Sequence, residues 1–376
     1  MSFIIHPTYA EQQHEIESIL SKLSIETIDK VLEPLGLRCM KFERLQTSGR
    51  INFLYNLQTQ LILQSNVTCD NEFILKISNP HRYWRHYRTQ NEVYTMQHLY
   101  EHTTIPLPKI LAYSCDSQTS ILECEFILME KIHGNTLEHV IDQMSDDSLM
   151  KTATEMIDYV KQLHEINLPQ MNQIGSFCSK TLHLGGYVLD GPTLGPFHTP
   201  KEFILAHLQW SIQSIEIDSQ LFEIAKHLLS PLQEIIKDIE NDEYLSNMKY
   251  TFHMTHTDLN TSNIIVDEIT GKILAIIDWE SCAMTFDESD MKFYAHWSDN
   301  EERKEEIKSL LPSNWVNESS NDITYIKPYL DVMYSAMWTT FYSSTWFESE
   351  QQVLEHMKYF VQDTEKVIIK LNKVSS

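Results

Sequence analysis

The sequence predicts an α+β fold, with strand signals gathered before residue 134 and helical periodicity dominating after it. Three observations carry this reading. Short β-branched and aliphatic runs such as Phe73-Ile-Leu-Lys76-Ile77 have strand length and strand composition. Further on, Leu149, Ala153, Met156, Ile157, Val160 and Leu163 recur at helical spacing and fall on one face. Within the helical part lies one tight pair of strand-like runs, Asn263–Asp267 and Lys272–Ile277, joined by Glu268-Ile-Thr-Gly271, which has the length and terminal glycine of a hairpin loop. At 376 residues the chain can hold two substantial cores, and it shows no repeat or low-complexity segment.

Taken in order, residues 1–40 are expected to form a helical segment, residues 41–134 the β-rich unit and residues 135–376 the helical unit. After the 73–77 strand, Glu92, Val93, Met96 and Leu99-Tyr100 follow a helical stripe, so Glu92 can turn toward Lys76. The 149–163 helix runs to His164-Glu-Ile-Asn-Leu-Pro169, where proline stops it. Gly175, Gly185, Gly186, Gly191 and Gly195 then mark a loop-like stretch, expected to pack on the lobe more than to wall a pocket. Phe203, Leu205, Leu208 and Trp210 open a further helix, and Phe222–Ile239 reads as another amphipathic segment. Near the end, Tyr329, Met333, Met337, Trp338, Phe341, Tyr342 and Trp346 form an aromatic helix face, expected to be core.

The chemistry concentrates around the hairpin. Asp258, Asn263 five residues later and Asp278 at the end of the second run are what phosphoryl transfer requires: one carboxylate to orient a substrate hydroxyl and two oxygen ligands for magnesium. If the turn is centred between Ile269 and Thr270, paired positions sum to about 539 and Asn263 stands opposite Ile276, two residues from Asp278. Lys76 on its strand is suited to reach the phosphates of a nucleotide.

His256-Thr-Asp258-Leu-Asn-Thr-Ser-Asn263 followed by Ile277-Asp278-Trp-Glu280 resembles the aminoglycoside phosphotransferase and choline kinase superfamily, whose signature reads His-Gly-Asp-x-x-x-x-Asn and then Ile-Asp-Trp/Phe-Glu. Thr257 departs from it where glycine is usual, a change that bears on the backbone of the loop. The resemblance implies a bilobal protein-kinase-like fold, a small β-rich N-lobe above a larger, mainly helical C-lobe, and an ATP-dependent, magnesium-assisted transfer to a small-molecule hydroxyl. It implies Asp258 as the catalytic residue, Asn263 and Asp278 as metal ligands, and Lys76 with its partner Glu92 at the phosphates. Ile127-Leu-Met-Glu130-Lys-Ile132-His-Gly134 resembles the hinge, where backbone groups at Glu130 and Ile132 would bond adenine, and Ser48, Gly49 and Asn52 correspond to the phosphate-covering loop. Asp290 resembles the family residue that braces the catalytic loop, and Asp287 a helix cap. Gly195-Pro-Phe197 followed by Thr199-Pro-Lys-Glu-Phe203 is similar to a feature of fungal-type members. A pseudokinase that binds nucleotide as an interaction module stays open as the alternative. A protein kinase is disfavoured, because the run from Asp278 to Asp290 leaves little room for a peptide-docking segment.

Charge is unevenly placed. Residues 1–134 hold 12 Lys and Arg against 15 Asp and Glu, a net of −3, while the remainder holds 17 against 38, a net of −21. Such a field favours a cationic acceptor and disfavours nucleic acid; a solvated acidic surface is the competing explanation. The basic aromatic run His81–Arg88 is accordingly expected at a lobe surface or on the nucleotide side. No signal-like start and no long uncharged apolar run occur, so a soluble, cytoplasmic protein without a membrane partner is expected. The six cysteines lack metal or disulfide-scaffold spacing and are expected as reduced thiols.

Overall fold

The first helices exist to close one side of a sheet. The computed structural model of the chain describes residues 9–45, 52–61, 71–79, 88–168, 172–186, 194–248, 250–286, 290, 293, 295, 297, 300–316, 321–340, 347 and 349–374. Helix α1 (Tyr9–Leu20) is followed by α2 (Ile25–Leu32), which Ser24 and Thr27 start with a reciprocal cap and which buries Ile28, Val31 and Leu32. Gly36, at φ +71, then turns the chain into β1 (Leu37–Arg44), so the sheet begins a few residues before position 40. Strands β2 (Phe53–Leu61) and β3 (Asn71–Ile77), helix α3 (Arg88–His102), and strands β4 (Ile110–Ser114) and β5 (Phe126–Glu130) complete an antiparallel sheet of order β1-β2-β3-β5-β4.

Alternation along β3 decides where the lysine goes. Leu75 and Ile77 face the core shared with α2, while Ile74 and Lys76 face α3. Along α3, Glu92, Val93, Met96 and Leu99 are buried. Tyr100, expected on the same stripe, is 63% exposed, because the helix is wedged between the sheet at Val93 and the second core at Met96 and Leu99, and position 100 falls past the edge of that arc.

Residues after β5 join the 264–276 hairpin. The two-residue strand β6 (Asn135–Thr136) leads through α4 (Leu137–Val140) to α5 (Asp146–Glu165), whose stripe from Leu149 to Leu163 is buried as expected. Strand β7 (Gly175–Ser176) opens the glycine-containing stretch, whose described part packs Ile174, Phe177, Leu182, Leu194 and Phe197 into the core. Helix α6 (Pro200–Ile217) starts at the Thr199 cap with proline in its first turn. The expected 222–239 segment is broken into α7 (Ser219–Ala225), a short 3₁₀ turn and α8 (Leu229–Asn241). Pro231 explains the break, since proline is compatible with the first turn of α8 but not with a helix running through from α7. Helix α9 (Glu243–Asn247) and strand β8 (His253–Thr255) precede the hairpin β9 (Ile264–Asp267) and β10 (Lys272–Ile276), and β11 (Ala283–Thr285) follows it. Helices α10 (Glu301–Leu310), α11 (Ser313–Val316), α12 (Asn321–Thr340) and α13 (Glu350–Val374) close the lobe. Of the expected aromatic face of α12, Met333 and Met337 are core, while Tyr329 and Trp338 are half-buried; Phe341, Tyr342 and Trp346 lie outside the described residues.

Among the described residues the C-lobe has two small sheets, β10-β9-β6 and β7-β11-β8, set among helices. Asp242 caps α9 and Asn300 caps α10, so the acidic stretches 238–243 and 300–306 lie at helix ends. Among the described residues no helix is long and apolar enough to cross a membrane.

Gly271 locks the hairpin to α5. Its φ is +69, and a Cβ there would run into the carbonyl oxygen and backbone carbons of Ser148. Gly271→Ala is expected to destabilise the protein by roughly 2–4 kcal/mol, combining left-handed strain and overpacking. A urea unfolding midpoint equal to that of the unsubstituted protein would contradict this origin of the turn.

Candidate active site

One lysine gathers the upper half of the site. Lys76, 5% exposed, places its Nζ 2.7 Å from Glu92 Oε2, 2.8 Å from Asp278 Oδ1 and 3.2 Å from Glu280 Oε2. The strand, the helix α3 and the segment after β10 thus meet on one ammonium. Burial alone would pull its pKa down, but Asp278, Glu280 and Glu92 hold it well above the usual value. Glu280 also receives Arg88 Nη1 at 2.6 Å and Asn52 Nδ2 at 2.7 Å. Burial would raise Glu280, yet Lys76, Arg88 and the Asn52 hydrogen bond draw it down to about 2. Burial, with Asp278 and Glu280 nearby, pushes Glu92 up to about 7 against the pull of Lys76, so of the two buried carboxyls it is the one that protonates more readily.

The lower half is a hydrogen-bonded loop between β8 and β9. His256 Nε2 lies 3.0 Å from Ile277 O, and its Nδ1 accepts from Asp258 N at 3.3 Å, which fixes the tautomer with the proton on Nε2. Burial lowers His256 to about 4, so it serves as a neutral strut, packed against Trp279 with the rings tilted by 56° and their centroids 4.5 Å apart. Asp290 Oδ2 accepts from His256 N at 2.6 Å, bracing the loop from below; Asp287 lies outside the described residues. Asp258 itself is exposed, and its carboxylate is oriented by two amides, Asn260 Nδ2 at 2.8 Å on Oδ1 and Asn263 Nδ2 at 3.0 Å on Oδ2.

The hairpin brings the halves together, in a register slightly different from the expected one. Lys272 pairs with Asp267 and Ile273 with Val266, as the turn geometry predicts, but a bulge between Ile273 and Ala275 shifts the remainder by one. Asn263 O therefore accepts from Ile277 N at 2.9 Å, so Asn263 stands opposite Ile277, one residue from Asp278. The bulged strand carries an extra residue, and this moves the two proposed metal ligands closer along the chain.

The donor set suits a hard divalent cation. Asn263 spends its Nδ2 on Asp258, at the carbonyl (2.9 Å) and the carboxylate, which leaves the amide oxygen with only a 3.5 Å contact from Ser262 Oγ. With the Asp278 carboxylate this makes an all-oxygen pair of the kind magnesium prefers. Glu92, Asp278 and Glu280 also bring carboxylate oxygens within 4.8 Å of one another, but the Lys76 ammonium bonds to all three, so that cluster is an ion-pair cage.

The remaining expected residues divide three ways. Asn52, read as a phosphate-loop contact, donates to Glu280; Ser48 and Gly49 lie outside the described residues. At the expected hinge, Glu130 ends β5 and its N–H donates to Lys109 O at 2.9 Å; Ile132 follows in the connector, half-buried. The basic stretch 81–88 is described only at Arg88, which is buried against Glu280. Sequence reasoning missed Arg88, Asn91, Asn260 and the bridging role of Glu280. Arg88 lies one helical turn before Glu92 and Asn91 is its neighbour, a spacing that could have marked one polar helix face.

Comparison with known proteins gives the same picture. The family model of the phosphotransferase enzyme family matches residues 63–304. Two curated relatives, the subtelomeric hrmA-associated cluster proteins of two Aspergillus fumigatus strains, are 21% identical over 302 residues, covering 64% of this chain and 59% of theirs. The chain thus spans about three-fifths of the length of these relatives. Among solved structures, the gentamicin complex of aminoglycoside phosphotransferase APH(2")-IIa has a TM-score of 0.58 at 15% identity, covering 91% of this chain and 96% of the other. ADP-bound APH(2'')-Ib has a TM-score of 0.58 at 15% identity, covering 92% and 99%. Choline kinase LicA from Streptococcus pneumoniae has a TM-score of 0.51 at 15% identity, covering 91% and 99%. These likenesses establish the kinase-like fold of the chain.

Removing the central cation tests the cage. Lys76→Met is expected to cost roughly 3–5 kcal/mol, because it strands buried carboxylates. With the ammonium gone, the folded pKa of Glu92, already above its ordinary value, would rise further, so the folded state would take up protons and the loss would shrink as pH falls from 8 toward 5. Urea midpoints at the two pH values check the sign; a loss independent of pH would contradict it.

Proposed function

This chain belongs to the phosphotransferase enzyme family, and from that premise we propose that it is a small-molecule kinase, transferring the γ-phosphate of ATP to a hydroxyl group with the aid of magnesium. One observation carries the reading: Asp258 is exposed while both of its carboxylate oxygens are oriented by amides, and the loop that holds it is tied through His256 to the residue preceding Asp278. A carboxylate so held can orient an acceptor hydroxyl and take its proton. Lys76 would neutralise the nucleotide phosphates, and Glu92 would keep the ammonium aimed there. Adenine would lie on the connector, against the Glu130 carbonyl and the Ile132 backbone, with Ser48, Gly49 and Asn52 on the phosphate side. Asn263 and Asp278 would hold magnesium, which when bound neutralises charge on the phosphates.

The acceptor is proposed to be a cationic hydroxylated small molecule. The net charge of −21 beyond residue 134 supports this, as do structural neighbours that include a gentamicin complex and a choline kinase. We place the activity in the cytoplasm, in keeping with free thiols at Cys39, Cys115, Cys124, Cys178 and Cys282.

An ATP-consumption screen across amines, aminoglycosides, sugars and hydroxylated amino acids tests the proposal. Turnover on at least one amine-bearing acceptor is expected, and Asp258→Ala should lower it by about 10²- to 10⁴-fold with nucleotide binding retained. Magnesium-dependent ATP binding without turnover on any acceptor would favour the interaction-module alternative. An Asp258→Ala protein working at the unsubstituted rate would overturn the assignment of that residue.

A further inference from the structure

Residues 280–282 are gripped from two sides. Asn91 Nδ2 donates to Glu280 O at 2.9 Å and to Cys282 O at 2.7 Å, while Thr257 Oγ1 donates to Ser281 O at 2.9 Å. Three successive carbonyls are thus taken alternately by helix α3 and by the loop that carries Asp258. Asn91 is fully buried, and its remaining polar atom is also used: Oδ1 accepts from Phe177 N at 2.8 Å. Its two donors and its acceptor each meet a backbone group of the opposite kind, so the amide fits this place in one orientation only.

Thr257 raises a sharper question, because it stands at φ 68. A β-branched residue is strained in that region, and glycine would occupy it freely. Asp278, two residues before Glu280, is also left-handed, at φ 67 and ψ 53. Strained positions persist where their surroundings over-determine them. What threonine supplies and glycine lacks is the hydroxyl that reaches Ser281. The strain at 257 is therefore coupled to a bond that ties the Asp258 loop to the segment following Asp278.

We propose that Thr257 and Asn91 are positioning residues that clamp the 280–282 backbone and so set Asp278 against Asp258 and Lys76. The consequence for metal and nucleotide rests on the kinase reading; the clamp itself does not. Neither residue needs to touch a substrate for this role. Its signature is local order around Asp278, separate from global stability.

Hydrogen exchange on the unliganded protein tests the clamp, comparing Thr257→Gly, Thr257→Ser and Asn91→Asp. Glycine removes the hydroxyl while accepting the backbone, serine keeps the hydroxyl, and aspartate keeps the acceptor for Phe177 while losing the donors. Amides of Trp279–Cys282 should exchange about five- to tenfold faster in Thr257→Gly, the scale of one lost hydrogen bond, and at near-original rates in Thr257→Ser. A purely structural role would change the unfolding midpoint and leave this segment's exchange in step with the rest of the chain. In a second arm, the magnesium concentration for half-maximal binding of a fluorescent ATP analogue should rise severalfold in Thr257→Gly and be restored in Thr257→Ser. Unchanged exchange in Thr257→Gly, or equal loosening in Thr257→Ser, overturns the proposal, and the Thr257 pair decides it even if Asn91→Asp fails to fold. If the exchange result holds but the unsubstituted protein binds no magnesium nucleotide, the clamp stands and the kinase reading falls.

Discussion

A buried ammonium shared by three carboxylates is the constraint on which the rest of this structure depends. Lys76 cannot be dry without them, and the buried pair Glu92 and Glu280 cannot be dry without it, while Asp278 stands part-exposed at the edge of the cluster. Glu92 comes from α3, Asp278 and Glu280 from the segment after β10, and Glu280 reaches on to Arg88 and Asn52. The cluster thus fastens the small sheet, its helix and the larger lobe at one point. Such clusters contribute little net stability compared with apolar packing, but they tolerate few alternative arrangements. Their value here lies in placement: the groups proposed to meet phosphate and metal are set by charges that can be satisfied only together.

The lower part of the site uses a different principle. It is built from hydrogen bonds to backbone groups and to the single carboxylates of Asp258 and Asp290, with His256 uncharged in the core and Asp258 held by amides at the surface. An exposed carboxylate would ordinarily sample several rotamers. Two amide donors from its own loop restrict it, so the order needed for reaction is local to the 256–263 loop. Electrostatics fix the upper half and hydrogen-bond geometry the lower, and the hairpin joins them.

Much of this was legible in the residues, and the failures have physical reasons. Asp258, Asn263 and Asp278 could be brought into one frame because a hairpin has a computable register, and the error of one residue came from a bulge that no turn signal announces. The Lys76–Glu92 pair followed from a strand and a helix of ordinary periodicity. Arg88, Asn91 and Glu280 escaped because their partners are about 190 residues apart in the chain, and nothing local specifies such contacts. The break before α8 was readable in Pro231 and was passed over, since the apolar period continues on both sides of it. Tyr100 was misplaced because periodicity gives the direction of a buried face and not its width.

The connector between the lobes has its own consequence. Strand β5 ends at Glu130 and β6 begins at Asn135, pairing at once with β9 of the 264–276 hairpin, and a Cβ at Gly134 would press 2.8 Å from Ile265 and Leu274 side-chain carbons. Only four residues lie free between two sheets, at most roughly 14 Å of extended backbone. A tether that short, anchored at both ends in hydrogen-bonded ladders, can pivot but cannot lengthen. The end of the small sheet is therefore held within that span of the hairpin, so any displacement between the two is limited to what four residues of backbone can pivot through.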